Sequence, residues 1–101
     1  MFSPQKININ EQNVAEGVEV RYANGTAEVI RLAELGEVIV TAGAINTPKI
    51  LMLSGIGDYV TLEKAGLPTK KHLPWVGMNL QDHPVVGMSF KYDPKEEVDL
   101  E

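Results

Sequence analysis

Between Glu37 and Gly57 the chain changes character three times, and each change limits what can be built around it. Val38, Ile39 and Val40 form a continuous apolar run, the pattern of a strand buried on both faces. Four small residues follow, Thr41-Ala42-Gly43-Ala44, where backbone can come close to a ligand or to another element. Thr47-Pro48 then reads as a helix start, with a hydroxyl at the N-cap and proline at the first helical position. The helix predicted over residues 48–53 is almost wholly apolar and is expected to be buried, and Ser54-Gly55-Ile56-Gly57 ends it. A strand, a small-residue turn and a helix N-terminus make a place where a nucleotide phosphate or sugar can sit. The same pattern also serves tight packing of helix on sheet with no ligand, so both readings stand from pattern alone.

The rest of the chain supplies a mixed α and β frame. Residues 5–10 alternate polar and apolar, with Ile7 and Ile9 on one face, and predict a half-buried strand. Val18, Val20 and Tyr22 predict a second strand after a turn at Glu11-Gln12-Asn13. Asn24-Gly25 is a strong hairpin signal for a two-residue type I′ turn. That turn places Arg21 opposite Glu28 and Val20 opposite Val29. Asp58 is the expected N-cap of a helix over residues 59–65, closed by Gly66 in a left-handed conformation, an apolar contact from Leu67, and Pro68. Residues 69–72 read as polar and extended, and residues 85–92 as a strand weakened by Gly87. The charged tail of residues 93–101 reads as frayed.

Composition narrows function mainly by exclusion. A net charge of −5 argues against a nucleic-acid partner. Without cysteine there is no disulfide and no thiolate metal site, and the compartment stays open. No run approaches the ~20 apolar residues that span a bilayer, and residues 1–5 lack the features of a secretory signal. His72 and His83 are the two histidines, and neither has a second ligand at metal-binding spacing. A hydrolytic triad of Ser54, His83 and Asp82 is disfavoured, because neighbours in an extended segment point to opposite sides.

Two long motifs say more than the pattern does. Gly43-Ala44-x-x-Thr47-Pro48-x-Ile50-Leu51-x-x-Ser54-Gly55-Ile56-Gly57 resembles the second sequence motif of the glucose–methanol–choline (GMC) family of flavin oxidoreductases, matched at every specified position. Leu73-Pro74-x-Val76-Gly77-x-Asn79-Leu80-Gln81-Asp82-His83-Pro84 resembles that family's next block, at the usual distance. The wording is most similar to glucose dehydrogenase-like members. One departure is the approach to the first motif, usually basic in the family and here acidic through Glu34 and Glu37.

The resemblance implies an α/β fold: part of an FAD-binding domain of the dinucleotide-binding type with a β-hairpin, leading into an α+β substrate domain. Residues 1–84 would belong to the FAD-binding region, and residues 85–101 would begin the substrate domain or form a frayed tail. FAD is the implied cofactor, with Ala42, Gly43 and Ala44 against its adenosine-diphosphate half. Thr47, Asn79 and Asp82 complete the implied cofactor-binding set, and Gln81 accompanies them. For Asn79, Gln81 and Asp82 the alternative is that they cap turns and satisfy backbone. The implied reaction is oxidation of a CH–OH group of an alcohol or sugar, with hydride passing to the flavin and an electron acceptor completing the cycle.

Family members are several times longer, opening on a Gly-x-Gly-x-x-Gly loop and closing on a catalytic His. This sequence shows neither, and His83 does not match that catalytic His, so the resemblance implies a middle fragment with no catalytic residue of its own. The competing reading is a truncated, non-catalytic product that is inactive or acts as an interaction module. A nicotinamide-dependent dehydrogenase shares the nucleotide-binding logic but not the two motifs.

Overall fold

The computed structural model describes residues 2–91. Three antiparallel strands come first: β1 (Phe2–Ile9), β2 (Ala15–Tyr22) and β3 (Ala27–Arg31), in the order β1-β2-β3. Helix α1 (Gly43–Leu53) follows and packs on β1. A small unit then closes on itself: β4 (Ile56–Gly57), helix α2 (Tyr59–Lys64) and β5 (Lys71–His72), with β4 and β5 parallel. The αβ mixture agrees with the sequence expectation, while the parallel β4–β5 pair was not anticipated.

A bulge decides which side of β1 faces the helix. The register passes from Pro4↔Val20 to Lys6↔Glu19, leaving Gln5 over, so Pro4 and Ile7 share one face although they are three apart. Ile7 and Val20 are buried there, and Ile50 of α1 is buried with them. Lys6 and Glu19 lie on the other face and form an exposed ion pair at 3.3 Å, which contributes little. Between sheet and helix stands Ser54, 4% exposed. Its hydroxyl accepts the Ile7 N–H at 2.7 Å and donates to the Ile50 carbonyl at 2.6 Å.

The hairpin forms at Asn24-Gly25, but its register is one residue away from the expected one. Arg21 pairs with Ala27 and Val20 with Glu28, not Arg21 with Glu28 and Val20 with Val29. The loop has three residues, closed by Gly25 N–H to the Tyr22 carbonyl and Tyr22 N–H to the Thr26 carbonyl, both 2.9 Å. Only Gly25 takes a positive φ, +86°, the pattern of a type I turn followed by a glycine bulge. The Asn24 side chain favours this turn by accepting from the Thr26 N–H at 3.0 Å and the Thr26 hydroxyl at 2.7 Å. A one-residue slip moves every side chain of β3 to the other face. Glu28 therefore comes within reach of Tyr22, whose hydroxyl donates to it at 2.8 Å. That bond to a carboxylate holds the Tyr22 phenol above its usual range.

Two further expectations are corrected. Residues 37–42 join no sheet among the described residues, and Ile39 is 81% exposed rather than buried. A strand exists only through a neighbouring backbone to pair with, and none of the described strands pairs with this run. Helix α1 begins at Gly43 rather than at Pro48, which sits inside it. The helix starts early because Gly43, at φ +85°, turns the chain into it, and because Thr47 works from within. The Thr47 hydroxyl accepts the Ala42 N–H at 3.0 Å, tying back the residue before the helix, while Ala42 supplies no side-chain cap of its own. Of the apolar helix only Ile50 is buried; Leu51, Met52 and Leu53 are half-buried.

Helix α2 follows its sequence signals closely. Asp58 caps it, accepting from both the N–H and the hydroxyl of Thr61 at 3.0 Å. At the other end Gly66 takes φ +68°, its N–H reaches the Glu63 carbonyl, and the Leu67 N–H reaches the Leu62 carbonyl, both at 2.9 Å. Leu62, 1% exposed, anchors the helix. The strand expected from residue 85 does not form over residues 85–91, which are exposed and without regular structure. Tyr92 and the tail lie outside the described residues.

Candidate functional site

Helix α1 has two working faces. Ile50 faces β1, and the opposite side opens on a cleft of about 760 Å³. Gly43, Ala44, Thr47, Pro48, Leu51 and Met52 form the helix wall, and residues 76–81 form the facing wall. The lining is mainly apolar, and its volume lies in the range of small-molecule sites, about 300–1,000 Å³.

The facing wall is built by two successive turns. The Leu73 N–H is held by the Gly57 carbonyl at 2.9 Å, which ties the segment to β4. Val76 N–H then reaches the Leu73 carbonyl at 3.2 Å, and Met78 N–H the Trp75 carbonyl at 3.1 Å. Gly77, at φ +78°, lies against α1: a Cβ there would stand 2.7 Å from the Met52 methyl carbon. Asn79 follows at φ +55°, a conformation asparagine tolerates better than most residues.

Four of the six residues singled out in the sequence meet at this cleft: Gly43, Ala44, Thr47 and Asn79. Ala42 lines a different, smaller cleft of about 250 Å³, with residues 38–41 and with Pro4, Ile7 and Val18 of the sheet. Asp82 lines neither. Its carboxylate accepts the N–H of the next residue, His83, at 2.7 Å. Asn79 is likewise used locally, accepting from the Gln81 side-chain nitrogen at 3.2 Å. Asp82 thus serves a neighbouring backbone group and Asn79 a neighbouring side chain, and both are exposed. At Gly43 a Cβ would meet nothing within 4 Å, so no part of the chain crowds it. What requires glycine is its positive φ, which leaves the helix start open towards the cleft.

Sequence reasoning missed the apolar lining: Leu51, Met52, Val76, Met78 and Leu80. A signal existed. A helix apolar on all sides but packed on the sheet by one side must present the other to something else.

Away from the cleft, the two bonds from Thr61 hold the Asp58 carboxyl below the usual carboxylate range, helped by His72 nearby. A lowered folded-state value means the cap contributes fully above the unfolded carboxyl value and is lost as pH falls through the lowered one. We expect the two Asp58–Thr61 bonds to be lost only below about pH 4, read as loss of amide-exchange protection at Thr61. Among the described residues no three acidic or histidine side chains gather as a metal site, and no helix is long and apolar enough to cross a membrane.

An α/β piece with an apolar cleft between a glycine-started helix and a turn-built wall is the class of structure defined so far. The sequence pattern of the family described as GMC oxidoreductase matches residues 3–85, and the chain belongs to that family. It is 46% identical over 86 residues to GMC oxidoreductase family protein Mala s 12 of Malassezia sympodialis, covering 84% of this chain and 14% of that protein. It is 48% identical over 73 residues to an oxygen-dependent choline dehydrogenase of Sinorhizobium medicae, covering 72% of this chain and 13% of that protein. A crystal structure of formate oxidase superposes with a TM-score of 0.63 at 35% identity, over 69% of this chain and 12% of that one. A formate oxidase variant from Aspergillus oryzae, made to study FAD modification, superposes equally well. The chain thus spans about one seventh of the length of the curated relatives it matches.

Proposed function

We propose that this chain is part of an FAD-dependent oxidoreductase acting on CH–OH groups, and that the cleft along α1 receives a portion of the flavin cofactor. The observation that carries the reading is convergence: two motifs about thirty residues apart face each other across one apolar cleft. The residues present suit such a group. The opening left by Gly43 gives backbone access at the helix start, Ala44 adds no bulk, and the apolar wall accepts a planar surface.

In this reading Gly43, Ala44 and Thr47 shape the helix side of the cofactor site, Asn79 the facing side, while Ala42 and Asp82 support the segments that carry them. When bound, FAD supplies hydride acceptance from the alcohol or sugar donor. The chain's own contribution is to position: Gly77 seats the wall on Met52, and Leu51 and Met52 give the cleft an apolar side. Residues 1–84 belong to the FAD-binding region and residues 85–101 open the substrate domain. An electron acceptor completes the cycle.

The finer reading, a glucose dehydrogenase-like member, rests on the wording of residues 51–57 and 73–84. Similarity to a choline dehydrogenase supports choline as the competing donor. Turnover of glucose against choline with an artificial acceptor separates them.

The primary test is the native product, captured with an antibody against residues 58–72. A yellow species several times heavier than 11.1 kDa that releases FAD supports the proposal. A colourless species of 11.1 kDa overturns it and favours the non-catalytic reading. Within the flavin reading, Gly43→Val forces a β-branched residue to a positive φ at a cost of about 1–2 kcal/mol. We expect that variant to lose flavin on gel filtration while its hairpin keeps native amide protection. Normal flavin retention would sink Gly43 as part of the site.

A further inference from the structure

The β4–α2–β5 unit carries a bond that the cofactor cleft does not explain. The backbone N–H of Tyr59, at the first position of α2, donates to the Nδ1 of His72 on β5 at 3.1 Å. Helix N-termini leave their first N–H groups without intrahelical partners. Here Asp58 serves the Thr61 N–H and an imidazole, thirteen residues further along, serves the Tyr59 N–H. Nδ1 accepts only when it carries no proton, so the bond specifies a neutral ring protonated at Nε2.

We infer that His72 is an acid-sensitive latch, holding the start of α2 and the pairing of β5 while neutral and releasing them when it takes up a second proton. Protonation turns both ring nitrogens into donors, so Nδ1–H would face the Tyr59 N–H, at the helix end where peptide dipoles disfavour positive charge. Asp58 is the charged neighbour that acts on His72. β4 carries no ionisable side chain; α2 carries Tyr59, Glu63 and Lys64, and β5 carries Lys71 beside His72. Asp58 stays ionised through the neutral and mildly acidic range, because its carboxyl is held low.

The release has a route to the cleft. His72 pairs with Gly57, and the next residue, Leu73, hangs from the Gly57 carbonyl and starts the wall of residues 76–81. Loosening β5 loosens that wall. The latch rests on backbone geometry and stands whether or not the cleft holds a flavin.

The test is amide exchange by mass spectrometry on the full protein between about pH 5 and about pH 8, with each rate normalised to the unfolded chain. The expected result is a roughly fivefold loss of Tyr59 protection relative to Leu62 on acidification, absent in His72→Asn, whose side-chain oxygen accepts without titrating. A Tyr59 to Leu62 ratio that is flat with pH in the wild type overturns the latch. So does a His72→Asn variant that keeps the wild-type pH dependence. Should that variant fold poorly, the wild-type ratio alone remains decisive.

Discussion

A Gly55→Ala variant is expected to lose about 3 kcal/mol of stability, which is the largest single effect this structure foretells. Two independent demands meet at Gly55. Its φ of +85° is a conformation that a side chain disfavours. A Cβ built there would also lie 2.7 Å from the Pro68 carbonyl oxygen and 3.2 Å from the Lys70 backbone nitrogen. Backbone cannot swing aside as a side-chain tip can. The Gly55 carbonyl also accepts the N–H groups of Lys70 and Lys71, at 2.8 and 3.1 Å, so any shift there unpairs β5. Denaturant unfolding of the purified protein measures the loss. A change under about 0.5 kcal/mol would show that the close approach at Gly55 is not real.

Ser54→Ala carries the second-largest expected effect, about 2 kcal/mol. The two hydrogen bonds of the hydroxyl are not equal in consequence. The Ile50 carbonyl keeps a partner without it, because the Ser54 backbone N–H also reaches that oxygen at 3.0 Å. The Ile7 N–H does not: β1 is an edge strand, whose alternate N–H groups point away from β2, and this one is taken by the Ser54 hydroxyl. Alanine therefore leaves one buried donor orphaned, at a site 4% exposed. Thr26→Val, which removes an exposed hydroxyl, is the control and should cost much less. Equal losses in the two variants would mean that Ser54 ties nothing together.

How far the sequence disclosed the structure depends on the reach of each signal. Asp58 and Gly66 act within one turn of α2, and each does what its residue type predicts. Asn24-Gly25 located the hairpin but not its register. The deciding bonds, from Thr26 to the Asn24 side chain, compete with the positive φ that a type I′ turn demands of Asn24. Thr47-Pro48 misplaced the start of α1, because a threonine can cap backwards from inside a helix as well as at its end. The run 38–40 was legible as strand material, and its failure to pair shows that pairing depends on what lies alongside. At the cleft, the polar and small residues stood out because motifs are written in them. The apolar lining stood out less, since Leu51 and Met52 look the same whether they face a core or a cavity.

The β4–α2–β5 unit has a consequence for the order in which the chain assembles. Its parallel strands are joined by one short helix, so every bond within it closes a small loop and costs little chain entropy. The bond from Ile7 to Ser54 reaches across 47 positions and must wait for both ends to be in place. As the polypeptide emerges from a ribosome, the sheet is synthesised first but is fastened to α1 only later. The small parallel unit can close almost as soon as Leu73 is free. Pulse-labelled exchange during refolding should therefore protect Leu73 before Ile7.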